Sequence, residues 1–289
     1  RHIKILKAST SSYFESIDID NNGDVLIAGR NHGHTWMDMN DHTGPTVLSK
    51  LTTPYIGKYK ANGDLVWSRR LNKCGTYDHS GAWDAKFTSD GRVVVVGAYS
   101  GTPTWACTDA GNVVGRPAPG SYELGSSFAN HLTLGMRSYM AFFDNSNGSV
   151  EYVREIGSYV QRSSAQQIVE HPVTGDLYIL GLWENTIKNP NDCGDEDRWF
   201  FAPQIPNKDF PLIGDFSRFT EGGGLVECDQ HENGGAVNDD HYLLHTDRLG
   251  NLKSLKLLDV HLEKVYGPSL AINSDGSELA IVDSGIPQS

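Results

Sequence analysis

At 289 residues the chain is long enough to bury a large core within one domain. Its formal charge of −12, with no cluster of Lys and Arg, speaks against nucleic acid or an anionic membrane surface as partner. Abundant glycine (31 residues), 10% aromatics and the lack of any sustained helical period point to an all-β chain of short strands and tight turns, and no apolar run approaches the roughly 18 residues of a membrane span.

In chain order, the first predicted strand is "HIKILKAS" from His2. Next comes "SIDIDNNGDVLIAGR" from Ser16: an alternating strand, a glycine turn, then a strongly apolar strand. The same hairpin returns as "AWDAKFTSDGRVVVVGAY" from Ala82, "AQQIVEHPVTGDLYILGLW" from Ala165 and "PSLAINSDGSELAIVDS" from Pro268. Their turn glycines, Gly23, Gly91, Gly175 and Gly276, stand progressively farther apart, so a constant unit is separated by expanding insertions. A second hairpin alternates with the first: "YIGKYKANGDLVWSRRL" from Tyr55, echoed by "NGSVEYV" from Asn147 and "LGNLKSL" from Leu249.

Two inner and two outer strands make a four-stranded antiparallel meander. Complete units fall at 16–71, 82–155 and 165–258, and a fourth from Pro268 supplies two strands. "HIKILKAS", similar to "LVWSRRLN", is positioned to close that fourth unit as its outermost strand. The expected architecture is therefore an all-β β-propeller of about four blades, one domain over 1–289. A chain beginning at Arg1 rather than Met reads as processed or excised from something longer. The alternation of "YIGKYKANGDLVWSRRL" with "AWDAKFTSDGRVVVVGAYSG" resembles the SBBP-type β-propeller repeat of surface and secreted proteins. That resemblance implies a fold and an extracellular habit, not a reaction.

In a meander every second connection lies on the same side. The short turns at Gly23, Gly63, Gly91, Gly148, Gly175, Gly250 and Gly276 should share one face, and the long connections 31–53, 72–81, 101–137, 157–164, 186–239 and 259–267 the other. Long loops in a compact domain are usually functional, so the elaborated face is the candidate working surface.

Cys74, Cys107, Cys193 and Cys228 all fall in those long connections and lack a CxxC pair, which favours two disulfides and a secreted setting over a zinc knuckle. Local pairing, Cys74 with Cys107 and Cys193 with Cys228, is the parsimonious choice among three connectivities. Asn147 heads an N-glycosylation sequon that also suits export. Asp18, Asp20, Asn22 and Asp24 have the alternate spacing of a calcium loop, without its closing carboxylate, so plain turn chemistry is preferred there. His32 and His34, beside Asp38, Asp41 and His42, could hold a divalent ion. Trp36 and Trp105, at matching exits from two inner hairpins, read first as a structural plug between blades and second as sugar-stacking residues, and Trp199 after the acidic "NPNDCGDED" is a further candidate on the binding face.

No GxSxG, P-loop, HExxH or post-strand GxGxxG occurs, and no cofactor is called for. The expected function is a non-enzymatic extracellular module of a cell-surface assembly or filament, joined to itself or to other extracellular proteins by β-strand addition. A lectin-like or calcium-dependent glycan-binding or protein-binding propeller is the alternative, and a propeller enzyme the third.

Overall fold

The computed structural model describes residues 7–8, 12–36, 47–70, 72–73, 81–99, 103–104, 137–158, 162–185, 199–204, 238–258 and 269–282. Among these there is no helix, and every strand pairing is antiparallel.

The first sheet comprises β1 (Lys7–Ala8), β2 (Ser12–Ile19), β3 (Val25–Trp36), β4 (Val47–Tyr59) and β5 (Leu65–Arg70); β2 to β5 form a meander. After β6 (Asn72–Lys73) come β7 (Gly81–Phe87), β8 (Arg92–Tyr99), β9 (Pro103–Thr104), β10 (Arg137–Asp144) and β11 (Val150–Ser158). Here β7, β8, β10 and β11 make the second meander, while β6 and β9 pair with each other. The third is β12 (Arg162–Glu170), β13 (Leu177–Asn185), β15 (Asn238–Thr246) and β16 (Leu252–Leu258); β14 (Trp199–Gln204) joins the second sheet as a fifth strand beside β11. The last sheet is the hairpin β17 (Ser269–Ile272) and β18 (Leu279–Val282).

The three meanders are copies down to their irregularities. Each first strand carries one extra residue at the same place, Glu15, Trp83 or Gln166, and each fourth strand another, Val66, Glu151 or Lys253. Such bulges twist a strand and re-aim its side chains. All seven turn glycines have positive φ, between 67° and 87°, a region open to glycine but costly for other residues.

Each meander also sets a glycine of its second strand opposite a tyrosine of its third: Gly29 with Tyr55, Gly97 with Tyr139, Gly181 with Tyr242. A Cβ at Gly97 would lie 2.0 Å from the Gly81 carbonyl oxygen and 2.7 Å from the Tyr139 hydroxyl; at Gly181 it would lie 2.1 Å from the Tyr242 ring. The ring covers the bare backbone and its hydroxyl donates onward, Tyr139 to Gly81 O at 3.1 Å and Tyr242 to Ser138 Oγ at 2.9 Å. Burial raises both hydroxyl pKa values, which keeps them neutral donors.

Sheets stack in chain order. The run "VVVV" in β8 has no alternation because both its faces are covered: Val93 and Val95 meet Leu26, Ile56 and Trp67 of the first sheet, while Val94 and Val96 meet Ile168, Leu177 and Ile179 of the third. Among the described residues no sheet covers the far face of the first sheet, and Ile17 and Ile19 are 64% and 62% exposed.

Three expectations change. The connection 31–53 is not all loop: β3 and β4 run on to Trp36 and back from Val47, with Thr35 opposite Val47 and His32 opposite Thr52. Residues such as Thr35, Val47, Thr52 and Thr53 favour a pleated backbone even where no apolar alternation shows. The insertion 186–239 contains β14, and the connections 72–81 and 101–137 contribute β6 and β9. Finally, the described part of "HIKILKAS" does not close the fourth unit. Lys7 and Ala8 pair with Trp36 and Thr35, because the extended tip of β3 offers them a free strand edge.

Candidate functional site

The joints between sheets are built from repeated side-chain to backbone contacts. The residue after the first-strand bulge reaches across to the neighbouring first strand and accepts the N–H one residue beyond the equivalent position. Ser16 Oγ accepts from Ala85 N at 3.3 Å, Asp84 Oδ2 from Ile168 N at 3.0 Å, and Gln167 Oε1 from Leu270 N at 2.6 Å. The first latch is reinforced: Ser16 Oγ donates to Asp84 Oδ1 at 2.5 Å, and Asp18 Oδ2 accepts from Phe87 N at 2.8 Å. Burial is the largest influence on Asp84 and raises its carboxyl pKa, although bonds from Ser16, Ile168 and Ala85 and the charge of Lys86 partly offset it. Beside the latches, Glu170 accepts from Ser89 N and Ser89 Oγ, so the inner turns are tied as well.

At the outer end each sheet presents a socket to the next sheet's outer turn. In the first sheet Trp67 Nε1 donates to Asn145 O at 2.9 Å, Lys58 Nζ to Asn145 Oδ1 at 2.7 Å, and Arg69 Nη2 to Asn147 O at 2.7 Å. The indole stacks on Phe143 and lies so close to the turn that a Cβ at Gly148 would sit 2.5 Å from it. In the second sheet Arg92 Nη2 donates to Arg248 O at 2.7 Å and Arg154 Nε to Gly250 O at 3.3 Å, while Phe142, stacked on Tyr152, sits against Gly250. Both sockets bind mainly main-chain carbonyls, over a ring that only glycine can approach.

The end of the stack is built differently. Among the described residues β17 and β18 form a two-stranded sheet, and no strand pairs with the second edge of β18, the edge that its counterparts β3, β8 and β13 give to a third strand. Ile281 and Val282 are 39% and 62% exposed. Beside this gap the third sheet carries its socket positions: Tyr178 stacked on His245 with centroids 4.4 Å apart, Asp176 bonded to His245 Nε2 at 3.0 Å and to Lys253 Nζ at 2.6 Å, then Ser254 and Lys256. Burial pushes the Asp176 carboxyl up, but the bonds from Lys253 and His245 and their charges together outweigh it and hold it below the usual range.

No family model matches the sequence, and no curated protein matches it. Nothing in either comparison assigns a ligand or a reaction to this end of the molecule.

The residues singled out in the sequence divide among several places. Asp18 serves the latch and approaches Lys86 Nζ at 3.5 Å, Asp20 accepts from Asn22 N and Asp24 N within its own turn, and Asp24 pairs with Lys58 at 3.2 Å. Each is thus held by a protein partner, and no group of three or more His, Cys, Asp or Glu gathers among the described residues. His32, His34 and Trp36 lie on the extended end of β3, and Trp199 opens β14 opposite Ser158. Exposed Asn147 sits in the turn gripped by Arg69, its side chain bonded to Asp144 and to Ser149 N. Trp105 and the four cysteines lie outside the described residues, although the β6–β9 pairing brings the segments leading into Cys74 and Cys107 together. Among the described residues no helix is long and apolar enough to cross a membrane.

Of the latch residues only Asp18 was singled out in the sequence, for a different chemistry, and the socket cations Lys58, Arg69, Arg92 and Arg154 were not. Asp84 and Gln167 look like ordinary strand residues, and the Gly–Tyr pairs span insertions of variable length. A usable signal existed: glycine six residues after each of the first three inner-turn glycines, at Gly29, Gly97 and Gly181.

Proposed function

We propose that the protein is a non-enzymatic structural and interaction module of the β-propeller kind, one domain of about four blades, whose last blade, two-stranded among the described residues, is extended by a strand from sequence beyond Ser289 or from a neighbouring subunit or protein in an extracellular, cell-surface assembly. The observation that supports this reading is the contrast between three sheets, each built on a four-stranded meander, and a last copy of the same unit that has two strands among the described residues. The second edge of β18 offers N–H and C=O groups to an incoming strand, the arrangement that β-augmentation uses. At about 0.5–1.5 kcal/mol net per hydrogen bond, four or five ladder bonds amount to several kcal/mol before side chains contribute. Such a contact is heterologous, so it propagates head to tail and suits a filament of the pilus or flagellar-hair type. The extracellular setting rests on the even cysteine count, the Asn147 sequon and the resemblance to SBBP-type repeats.

Electron micrographs of the purified chain over a concentration series, with light scattering, test the reading. The expected result is open chains or fibres that lengthen with concentration. A strictly monodisperse monomer that saturably binds a glycan or calcium would overturn it.

A further inference from the structure

Beyond the strand edge, the third sheet supplies a second, more selective element of recognition. Its facing positions are register equivalents of the two occupied sockets. His245 stands where Phe142 and Lys58 stand, Ser254 where Tyr152 and Trp67 stand, and Lys256 where Arg154 and Arg69 stand. At the bulge, Lys253 replaces Glu151, and Asp176 replaces its partner Arg92, so the ion pair across this site is reversed in sign between the second and third sheets. Among the described residues neither Ser254 nor Lys256 bonds to another sheet, and both are exposed.

We infer that the outer face of the third sheet, built from Tyr178, His245, Ser254 and Lys256, is a turn-binding socket whose occupant is a β-hairpin with an Asx–Gly type turn from outside residues 1–289. Its continuity with an existing interface argues for this occupant: the inner half of the same face already holds β17 through Gln167 and Leu270 N. A hairpin extending β18 would bring its turn over the His245 ring, as the 144–149 and 247–251 turns lie over Trp67 and Phe142. Charge agrees at Lys256, which stands where Arg69 and Arg154 donate to the Asn147 and Gly250 carbonyls. Glycine is required at the apex since the two occupied sockets leave no room for a Cβ. The inference rests on the strand-addition reading but names a different contact, side chains holding a turn rather than a ladder.

The test uses the 289-residue chain and a cyclised hairpin peptide with the sequence of residues 141–153, whose turn fills the first socket. Fluorescence anisotropy should show saturable binding. Ser254→Trp, which installs the indole of the first socket on an exposed position, should tighten binding about tenfold, and Lys256→Glu should weaken it about tenfold. A peptide with valine in place of the turn glycine should lose most of its affinity. Absence of binding, or binding indifferent to Ser254→Trp and to the valine peptide, overturns the socket. So does hydrogen exchange showing the Ala280 to Val282 amides fully protected in the isolated monomer, since the chain then fills its own gap. Fibres formed by a chain that ignores the peptide would leave strand addition standing and remove the socket; peptide binding by a chain that never assembles would do the reverse.

Discussion

The second and third sheets share strand order, both bulges and the Gly–Tyr pair, yet they treat the face turned toward the next sheet in opposite ways. The second presents Val94, Met140 and Phe142, buried against the third sheet, with half-buried Tyr152 and Arg154 beside them. The third presents Tyr178, Leu243, His245, Ser254 and Lys256, none of them fully buried. Backbone geometry is therefore set by features internal to each sheet, while the facing side chains follow what covers them. Under the outer turns of the next sheet the positions are aromatic or aliphatic with a cation reaching a turn; at the outer strand of the third sheet, where no turn lies among the described residues, Ser254 and Lys256 are polar and exposed, which limits exposed apolar area.

Truncating the filled socket should give the largest effect. Trp67 is 1% exposed, stacks on Phe143 and donates to Asn145 O, so Trp67→Ala should cost about 3–5 kcal/mol in urea unfolding. Its register equivalent Ser254→Ala should fall within about 0.5 kcal/mol of the parent. Equal losses at the two sites would mean that the third sheet's face is as fully covered as the first sheet's.

Next in size is the feature both sheets share. Gly97→Ala places a methyl against the Gly81 carbonyl and the Tyr139 ring, and Gly181→Ala places one into Tyr242. Both should cost ~3 kcal/mol, the upper range for overpacking, with similar values in the two sheets. A much smaller loss at Gly181 would show that the third sheet yields more easily than the second, so that the open face loosens the sheet itself.

How much of this was legible beforehand follows from the same contrast. The hairpins at Gly23, Gly91, Gly175 and Gly276 announced themselves because each turn needs glycine at positive φ and each following strand is apolar, a local pattern. The β17–β18 hairpin around Gly276 was visible for the same reason. The latches were not, since Asp84, Gln167 and Ser16 have no common chemistry beyond an oxygen that can accept, and their partners are backbone N–H groups in segments 69 to 103 residues away. The extensions of β3 and β4 were missed because backbone pairing alone continues them: His32 and Thr52 give no period-two pattern. The Asp18–Asp24 spacing suggested a metal, but the same alternation puts Asp18 on the latch face and lets Asp20 close its own turn.

A smaller effect is expected at the second latch. Asp84→Ala leaves the Ile168 N–H without its acceptor and should cost about 1–3 kcal/mol. Because the fold raises the Asp84 pKa, the folded state holds its proton longer than the unfolded chain does. The contribution of Asp84 to stability is therefore fully present below the unfolded carboxyl range and declines as pH rises through the raised folded value. The difference between parent and Asp84→Ala should be greatest in acid and shrink toward neutrality; a difference that grows with pH would refute the assignment.

Asp176, at the open end, should behave in the reverse sense and by less. Its folded carboxyl pKa is lowered, so its contribution is present above the unfolded range near 3.9 and disappears as pH falls through the depressed value. Lys253 is 46% exposed, so solvent screening keeps the pair small, and Asp176→Asn should cost no more than about 1 kcal/mol at neutral pH. That loss should vanish once the pH falls below the depressed folded value, and 0.5 M salt should reduce it by weakening the pair with Lys253. Covering the socket changes the terms: with the hairpin peptide bound over His245, the adjoining Asp176 pair is less exposed to water and the attraction of Lys253 to Asp176 strengthens. The salt sensitivity of the Asp176→Asn difference should then fall, making this carboxylate respond to salt as an enclosed joint does.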